Sequence, residues 1–210
     1  MAARFIALEG IDGTGTTTQA GLLRDSLVAR GQHCIATCEP TRGPIGSLIR
    51  LGLSGRLALS PDDGSRRREE YTYALLFAAD RMDHLVNEVE PALKAGAHVV
   101  SDRYYLSSFA YQLLECPLEW VRALNSHCRR PDVTFLLDAE PELCLDRIAK
   151  GRHVRDRYEQ IEKLAIIRTN YLKVAGVLRS AGEEIIVLDA AQSIQAIHNE
   201  ILKDVEKRMA

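Results

Sequence analysis

The sequence predicts an α/β protein in which a parallel sheet is covered by helices, and three observations carry that prediction. Short apolar runs of strand character alternate with helical patterns along the chain. A glycine-rich segment stands between the first such run and the first helix. No internal repeat, linker or low-complexity tract divides the 210 residues, so 1–210 reads as one domain.

The elements follow in order. Phe5 to Leu8 is the first strand. Thr16 to Arg30 is a helix, apolar at Leu22, Leu23, Leu27 and Val28 and stopped by Gly31. Cys34 to Thr37 is a second strand ending at Glu39-Pro40, where proline cannot donate to a ladder. Gly43 to Gly64, rich in glycine and proline, reads as a mobile, ligand-facing segment around a short helix. A long helix is expected from about Arg66 to Glu90. His98 to Ser101 is a third strand, with a helix after it near Leu106 to Glu115. Val133 to Leu137 is a fourth strand, and a helix from Glu142 leads into the charged stretch Lys150 to Glu159. A helix over Ile161 to Arg179, a strand over Ile185 to Leu188 and a helix from Ser193 complete the chain.

Composition narrows the function classes. Hydrophobic residues make up 46% and charged residues 27%, ordinary for a globular protein. A formal net charge of -2 argues against nucleic acid as a partner. The dense basic run Arg66-Arg67-Arg68 is flanked by Asp62-Asp63 and Glu69-Glu70 and reads as a solvated helix start. Five cysteines with no Cys-x-x-Cys pair suggest neither a disulfide framework nor a zinc site, and small buried hydrophobes are the reading. No apolar run approaches the roughly 20 residues needed to span a bilayer, so no membrane role is expected. The N-terminus enters a strand directly, without a signal peptide, which makes the cytoplasm the expected location.

The chemistry is concentrated in Gly10-Ile11-Asp12-Gly13-Thr14-Gly15-Thr16-Thr17-Thr18. Glycines in such a loop let backbone N–H groups turn inward around a phosphate, and the following helix N-terminus adds a favourable dipole. The pattern Gly-x-x-x-x-Gly-Lys-Ser/Thr is met by Gly10, Gly15 and Thr17, whose hydroxyl suits Mg²⁺, but Thr16 stands where the lysine belongs. A dinucleotide fingerprint would need a third glycine at 18, which is threonine. A plain glycine turn capped by threonines is the bland alternative.

On the long helix, advancing about 100° per residue gathers Tyr71, Leu75, Ala78, Met82, Leu85 and Val89 on one side, the expected core face. Phe77 and Arg81 lie i, i+4 on a separate strip. The spacing leaves two readings: a stacking and hydrogen-bonding platform for a base, or a wide core face with a surface arginine. Asp102 and Arg103 follow the third strand directly, at the carboxyl end where α/β folds bind ligands; an end-of-strand ion pair is the alternative. Ser108, Tyr111 and Gln112 share a helix face, as ligand contacts or as solvated polarity. Arg152, Arg155 and Arg157 crowd one charged loop.

Taken together, Phe5 to Thr18, Glu39-Pro40-Thr41-Arg42, Leu76 to Arg81, Asp102-Arg103-Tyr104, Asp156 to Glu159 and Val187 to Ala190 resemble thymidylate kinases, in register over nearly the whole chain. The resemblance implies the P-loop nucleotide-kinase fold, a five-stranded parallel sheet flanked by helices with a short mobile lid at about 150–160. It implies ATP and Mg²⁺, dTMP as acceptor and a homodimer. On matching positions it implies that Gly10, Asp12, Gly13, Thr14, Gly15, Thr16, Thr17 and Thr18 hold ATP, with Arg147 and Ala191 at the adenine. It implies that Phe77 stacks on thymine, Arg81 and Ser108 read its edge, and Gln112 lines the same side. Tyr111 would crowd a ribose 2′-hydroxyl, and Arg42 would hold the acceptor phosphate. Arg103 would bridge the two phosphates, Asp12 would sit near the acceptor sugar and metal, and Asp102 would reach Mg²⁺ through water. Arg155 and Arg157 would act from the lid, because position 13 is glycine rather than arginine. The missing lysine departs from the pattern. Either a lid arginine covers for it, or the chain is a catalytically impaired nucleotide-binding protein. A kinase for another nucleoside monophosphate is the third reading.

Overall fold

The computed structural model describes residues 2–57, 66–148 and 154–209, with side chains described from Glu69 and Glu159 onward in the last two stretches. The strands are β1 (Phe5–Gly10), β2 (Cys34–Cys38), β3 (His98–Asp102), β4 (Val133–Asp138) and β5 (Ile185–Asp189). They form one wholly parallel sheet in the order β2-β3-β1-β4-β5. Every residue of β1 is buried, which is why its sequence reads as a continuous apolar run rather than an alternation. Leu8 pairs with Asp102 of β3, so β1 and β3 end side by side. The order reverses about β1, and the loops after β1 and β3 open where such sheets receive ligands.

The described helices are α1 (Thr16–Ala29), α2 (Pro44–Leu53), α3 (Arg66–His84), α4 (Glu90–Lys94), α5 (Tyr105–Gln112), α6 (Leu118–Leu124), α7 (Pro141–Ile148), α8 (Val154–Ser180) and α9 (Ile194–Met209). α1 packs on β1, β2 and β3 and beside α9, while α5 packs beside α8 and α3. Phe5 meets the Tyr104 ring edge-on at 4.9 Å, and residues 5, 7 and 9 of β1 share that face.

The structure differs from the sequence reading in four places. The helix expected to run to Glu90 ends at His84 and passes through one π-turn, Leu85–Val89, into α4. Pro91 carries no N–H to bond back one turn, and the wider turn absorbs the loss. The helix expected from Ile161 already runs at Val154. The short α6, begun by Pro117, is absent from the sequence reading, because seven residues carry too little periodicity. The expected core face is met in part: Ala78, Leu85 and Val89 are buried, but Leu75 (52%) and Met82 (40%) are exposed, and Ala74 and Arg81 are buried on a second side. α2, α5 and α6 pack on that second side, and a salt bridge makes an arginine admissible there.

None of the five cysteines is in a disulfide; Cys116 and Cys144 are buried, the other three half-buried. Burial pushes the thiols of Cys34 and Cys144 up to about 11, which keeps them protonated and supports the bland reading. Among the described residues no helix is long and apolar enough to cross a membrane.

Candidate active site

The loop after β1 is shaped by its glycines. Gly13 has φ +91°, and a Cβ there would lie 2.5 Å from the carbonyl oxygen of Cys144 in α7, so a side chain is excluded. Thr14 closes the turn, donating its N–H and its hydroxyl to the Ile11 carbonyl at 3.2 and 2.8 Å. Gly15 is the N-cap of α1 and supplies no side chain, so the first N–H groups of α1 keep no side-chain acceptor. A helix N-terminus in that condition attracts an anion. Gly10 ends β1 ahead of the loop. Thr16 is buried, while Thr17 and Thr18 are exposed at the mouth. Ala191 is exposed, its N–H bonded to Asp189, and Arg147 donates to the Ala190 carbonyl at 2.9 Å, tying α7 to the loop after β5.

Beside this loop lie the ends of β1 and β3. The Thr17 hydroxyl donates to Asp102 Oδ2 in a short contact. Oδ1 of the same carboxylate is buried and has no hydrogen-bond partner among the described residues. A buried carboxylate oxygen without a donor favours a cation, and a hydroxyl and a carboxylate are the hard oxygen donors that Mg²⁺ takes, so this pair fits that ion.

Arg103 has φ +71°, a positive value that among the described residues it shares only with glycines. Its Nη2 donates to Asp12 Oδ1 at 2.7 Å. Its Nη1 makes only long contacts, to Tyr171 at 3.2 Å and to Ser107 and Tyr111 at 3.4 Å. The guanidinium carbon sits 5.4 Å from the Tyr111 ring centre. Burial, more than any neighbouring charge, pushes the Tyr111 phenol up to about 12, so it stays a neutral donor.

The second half of the site is built on α3 and α5. Arg81 is buried (1% exposed) and not a surface residue, which corrects the idea of a non-core strip. It donates to Glu39 from Nε (2.9 Å) and Nη2 (2.7 Å), to Ser108 (2.9 Å) and, in a short contact, to Asn125. These contacts use four of the five guanidinium N–H groups and leave one on Nη1. The Tyr104 ring lies under the guanidinium at 5.2 Å. His84 adds a bond to Glu39 at 3.0 Å and one to Thr37 at 2.8 Å. Phe77 is half-buried one turn before Arg81. Ser108 and Gln112 are buried, so neither is solvated helix polarity, and Gln112 Oε1 has no partner among the described residues.

Arg42 is exposed on the loop after β2. Its neighbour Thr41 is fixed by the buried Asp80, which accepts the Thr41 N–H (2.7 Å) and hydroxyl (2.6 Å). Gly46 of α2 closes from the other side, where a Cβ would lie 2.1 Å from the Thr41 carbonyl oxygen. The expected lid falls partly outside the described residues. Arg152 lies outside them, as do the side chains of Arg155 and Arg157.

Sequence reasoning missed Glu9, Glu39, Asp80 and Tyr171, all buried or nearly so and all bonded to the residues just named. Glu9 left one usable signal, a carboxylate inside an apolar strand run; Tyr171, 68 residues from Arg103, left none.

Among known proteins, the family model described as thymidylate kinase matches residues 8–201. The chain is 40% identical over 209 residues to a probable thymidylate kinase of Thermococcus kodakarensis, covering 96% of this chain and 97% of that protein. It is 40% identical over 211 residues to one from Pyrococcus horikoshii, covering 100% and 98%, and 35% identical over 212 residues to one from Methanosarcina barkeri, covering 98% and 97%.

Proposed function

Since this chain belongs to the thymidylate kinase family, we propose that it is a cytoplasmic enzyme moving the γ-phosphoryl group of ATP onto dTMP, giving dTDP and ADP, with Thr16 in the place of the loop lysine. One observation carries the reading: the Asp12–Arg103 pair and the Thr17–Asp102 pair meet at the adjacent carboxyl ends of β1 and β3, beside the uncapped N-terminus of α1.

The chemistry asks mainly for alignment and charge neutralisation. A phosphate oxygen of dTMP attacks the γ-phosphorus while the bond to the β,γ-bridging oxygen breaks and ADP leaves. Backbone N–H groups of Gly13 to Thr18 and the α1 dipole hold the ATP phosphates. The Thr17 hydroxyl and the Asp102 carboxylate would hold Mg²⁺, which would supply positive charge to offset the negative charge of the phosphates. Arg103 keeps Nη2 on Asp12 and offers Nη1, whose long contacts are easily exchanged for phosphate oxygens, to donor and acceptor together. Arg42 holds the acceptor phosphate.

On the base side Phe77 stacks on thymine, and Ser108 and Gln112 line its edge. Arg81 takes part through its one remaining N–H and through Ser108, because Glu39 and Asn125 hold the rest of its fork. Tyr111 limits the sugar to the deoxy form. Arg147 and Ala191 stand at the adenine. Arg155 and Arg157 act from the lid at about 150–160, and one of Arg152, Arg155 and Arg157 also covers for the absent lysine; if Arg155→Ala and Arg157→Ala each left activity untouched, that part would fall. The chain acts as a homodimer, for which the support is an apolar stripe of Leu75 and Met82 on α3 and Val86 on the π-turn after it, all exposed.

The deciding experiment is a coupled ADP-release assay with ATP and Mg²⁺ and dTMP, dUMP, dCMP or ribothymidine monophosphate as acceptor, run on the chain and on Thr16→Lys. Turnover selective for dTMP is expected. Thr16 favours one rival reading, a protein that binds nucleotide without turnover. Nucleotide binding with no ADP from any acceptor would establish that rival and overturn the kinase reading.

A further inference from the structure

Arg103 adopts a left-handed backbone conformation that a side-chain-bearing residue reaches at a cost of order 1–3 kcal/mol, so its surroundings must enforce it. Four contacts do so. The Arg103 N–H donates to the Leu8 carbonyl at 2.8 Å, and its carbonyl accepts the Ser101 hydroxyl at 2.7 Å. On the far side of the turn, the Tyr104 N–H (3.0 Å) and the Ser107 N–H (3.2 Å) both donate to one oxygen of Glu9. The second Glu9 oxygen accepts the Ser107 hydroxyl at 2.5 Å and the Tyr171 hydroxyl at 3.3 Å. Ser107 and Tyr171 also hydrogen-bond each other at 2.7 Å, and both reach Arg103 Nη1.

Glu9 thus performs two tasks from β1. It caps α5, whose own N-cap, Tyr104, offers no side-chain cap. It also holds the two hydroxyls that border the guanidinium. The charged and titratable groups facing it are Arg103, Tyr171 and, through its field, Arg81. A fully buried carboxylate is expensive unless its oxygens are satisfied, and every donor it takes lies on the segment carrying Arg103 or on Tyr171 beside it.

We propose that Glu9 is a positioning residue for phosphoryl transfer, holding Arg103 in its left-handed turn and placing its Nη1 through the Ser107 and Tyr171 hydroxyls that Nη1 contacts. The proposal rests on the kinase reading given above and concerns only how Arg103 is held.

The test is a double-mutant cycle on the full chain with Glu9→Gln and Arg103→Ala, reading kcat and KM for both substrates and, separately, dTMP affinity by calorimetry. Glu9→Gln keeps the volume and one acceptor oxygen but loses the carboxylate. We expect kcat to fall at least tenfold with KM for ATP within twofold, and the same substitution to be silent once Arg103 is alanine. A kcat within twofold of the parent, or a loss repeated in full in the Arg103→Ala background, would overturn the proposal. Should Glu9→Gln fail to fold, Ser107→Ala, which removes the shared hydroxyl alone, runs through the same cycle, and the same two results support or overturn the role of Glu9. Should the parent bind dTMP without turnover, the kinase reading fails on its own. The calorimetric cycle then decides: weakened dTMP binding that vanishes in the Arg103→Ala background supports the role of Glu9, and additive losses overturn it.

Discussion

Position 16 shows what one side chain can decide. A threonine there is buried beneath the loop mouth and carries no charge, where the P-loop pattern has a cation. A lysine would extend its ammonium along its stem toward the phosphates. With a lid arginine covering for that cation, Thr16→Lys is expected to change kcat with dTMP by much less than the roughly 10²–10³ that one preorganised electrostatic partner is usually worth, and a gain of that full size would mean that nothing covers for it. An unchanged kcat would mean that another cation already fills the role. Glu9 gives a second expectation at this scale. Burial raises its pKa from 4.5 to about 7. The folded state therefore keeps a proton that the unfolded chain has lost between about pH 4.5 and 7. The stability from this group is full below that window and lost as pH rises through it, on the order of 3 kcal/mol. Glutamine stays neutral throughout. Denaturant titrations across pH 4.5 to 8 should show Glu9→Gln gaining on the parent as pH rises; a constant difference would count against the shifted carboxyl.

Between elements, the contacts that shape the site join segments far apart in the chain. The loop after β2 is locked to α3 by Glu39 with Arg81 and by Thr41 with Asp80. Breaking a buried pair leaves a charge without its partner. Glu39→Ala should cost about 3–5 kcal/mol in urea unfolding, far more than an exposed pair would. Gly46→Ala forces a Cβ into the Thr41 backbone. Overpacking of this kind costs about 1–3 kcal/mol, and because Thr41 adjoins Arg42, weaker dTMP binding in calorimetry should accompany the lower stability. The helix after β2 could be read from the sequence, since proline at its first turn and apolar spacing are local signals. Its tight approach to Thr41 could not, because a close approach is a property of two segments.

At the scale of the whole molecule, the stripe on α3 and the π-turn after it carries the expectation of a dimer. Met82→Glu with Val86→Glu should convert dimer to monomer in sedimentation while leaving the far-ultraviolet circular dichroism unchanged, since both side chains are exposed. The sequence by itself determined the alternation of strands and helices and the parallel sheet. It also determined the phosphate loop with its missing lysine, and the chain positions where Asp12, Asp102 and Arg103 stand. These rest on local rules: glycine conformations, the two periodicities, and the habit of parallel sheets to bind at their carboxyl ends. Only the tertiary structure decided which face of α3 is buried, that Arg81 belongs to the interior, and that Glu9 and Tyr171 hold Arg103. Periodicity finds a stripe but cannot tell a core from an interface, since both are apolar. A buried carboxylate or arginine becomes tolerable only through partners that the fold brings from distant segments, and those partners leave no pattern in neighbouring residues.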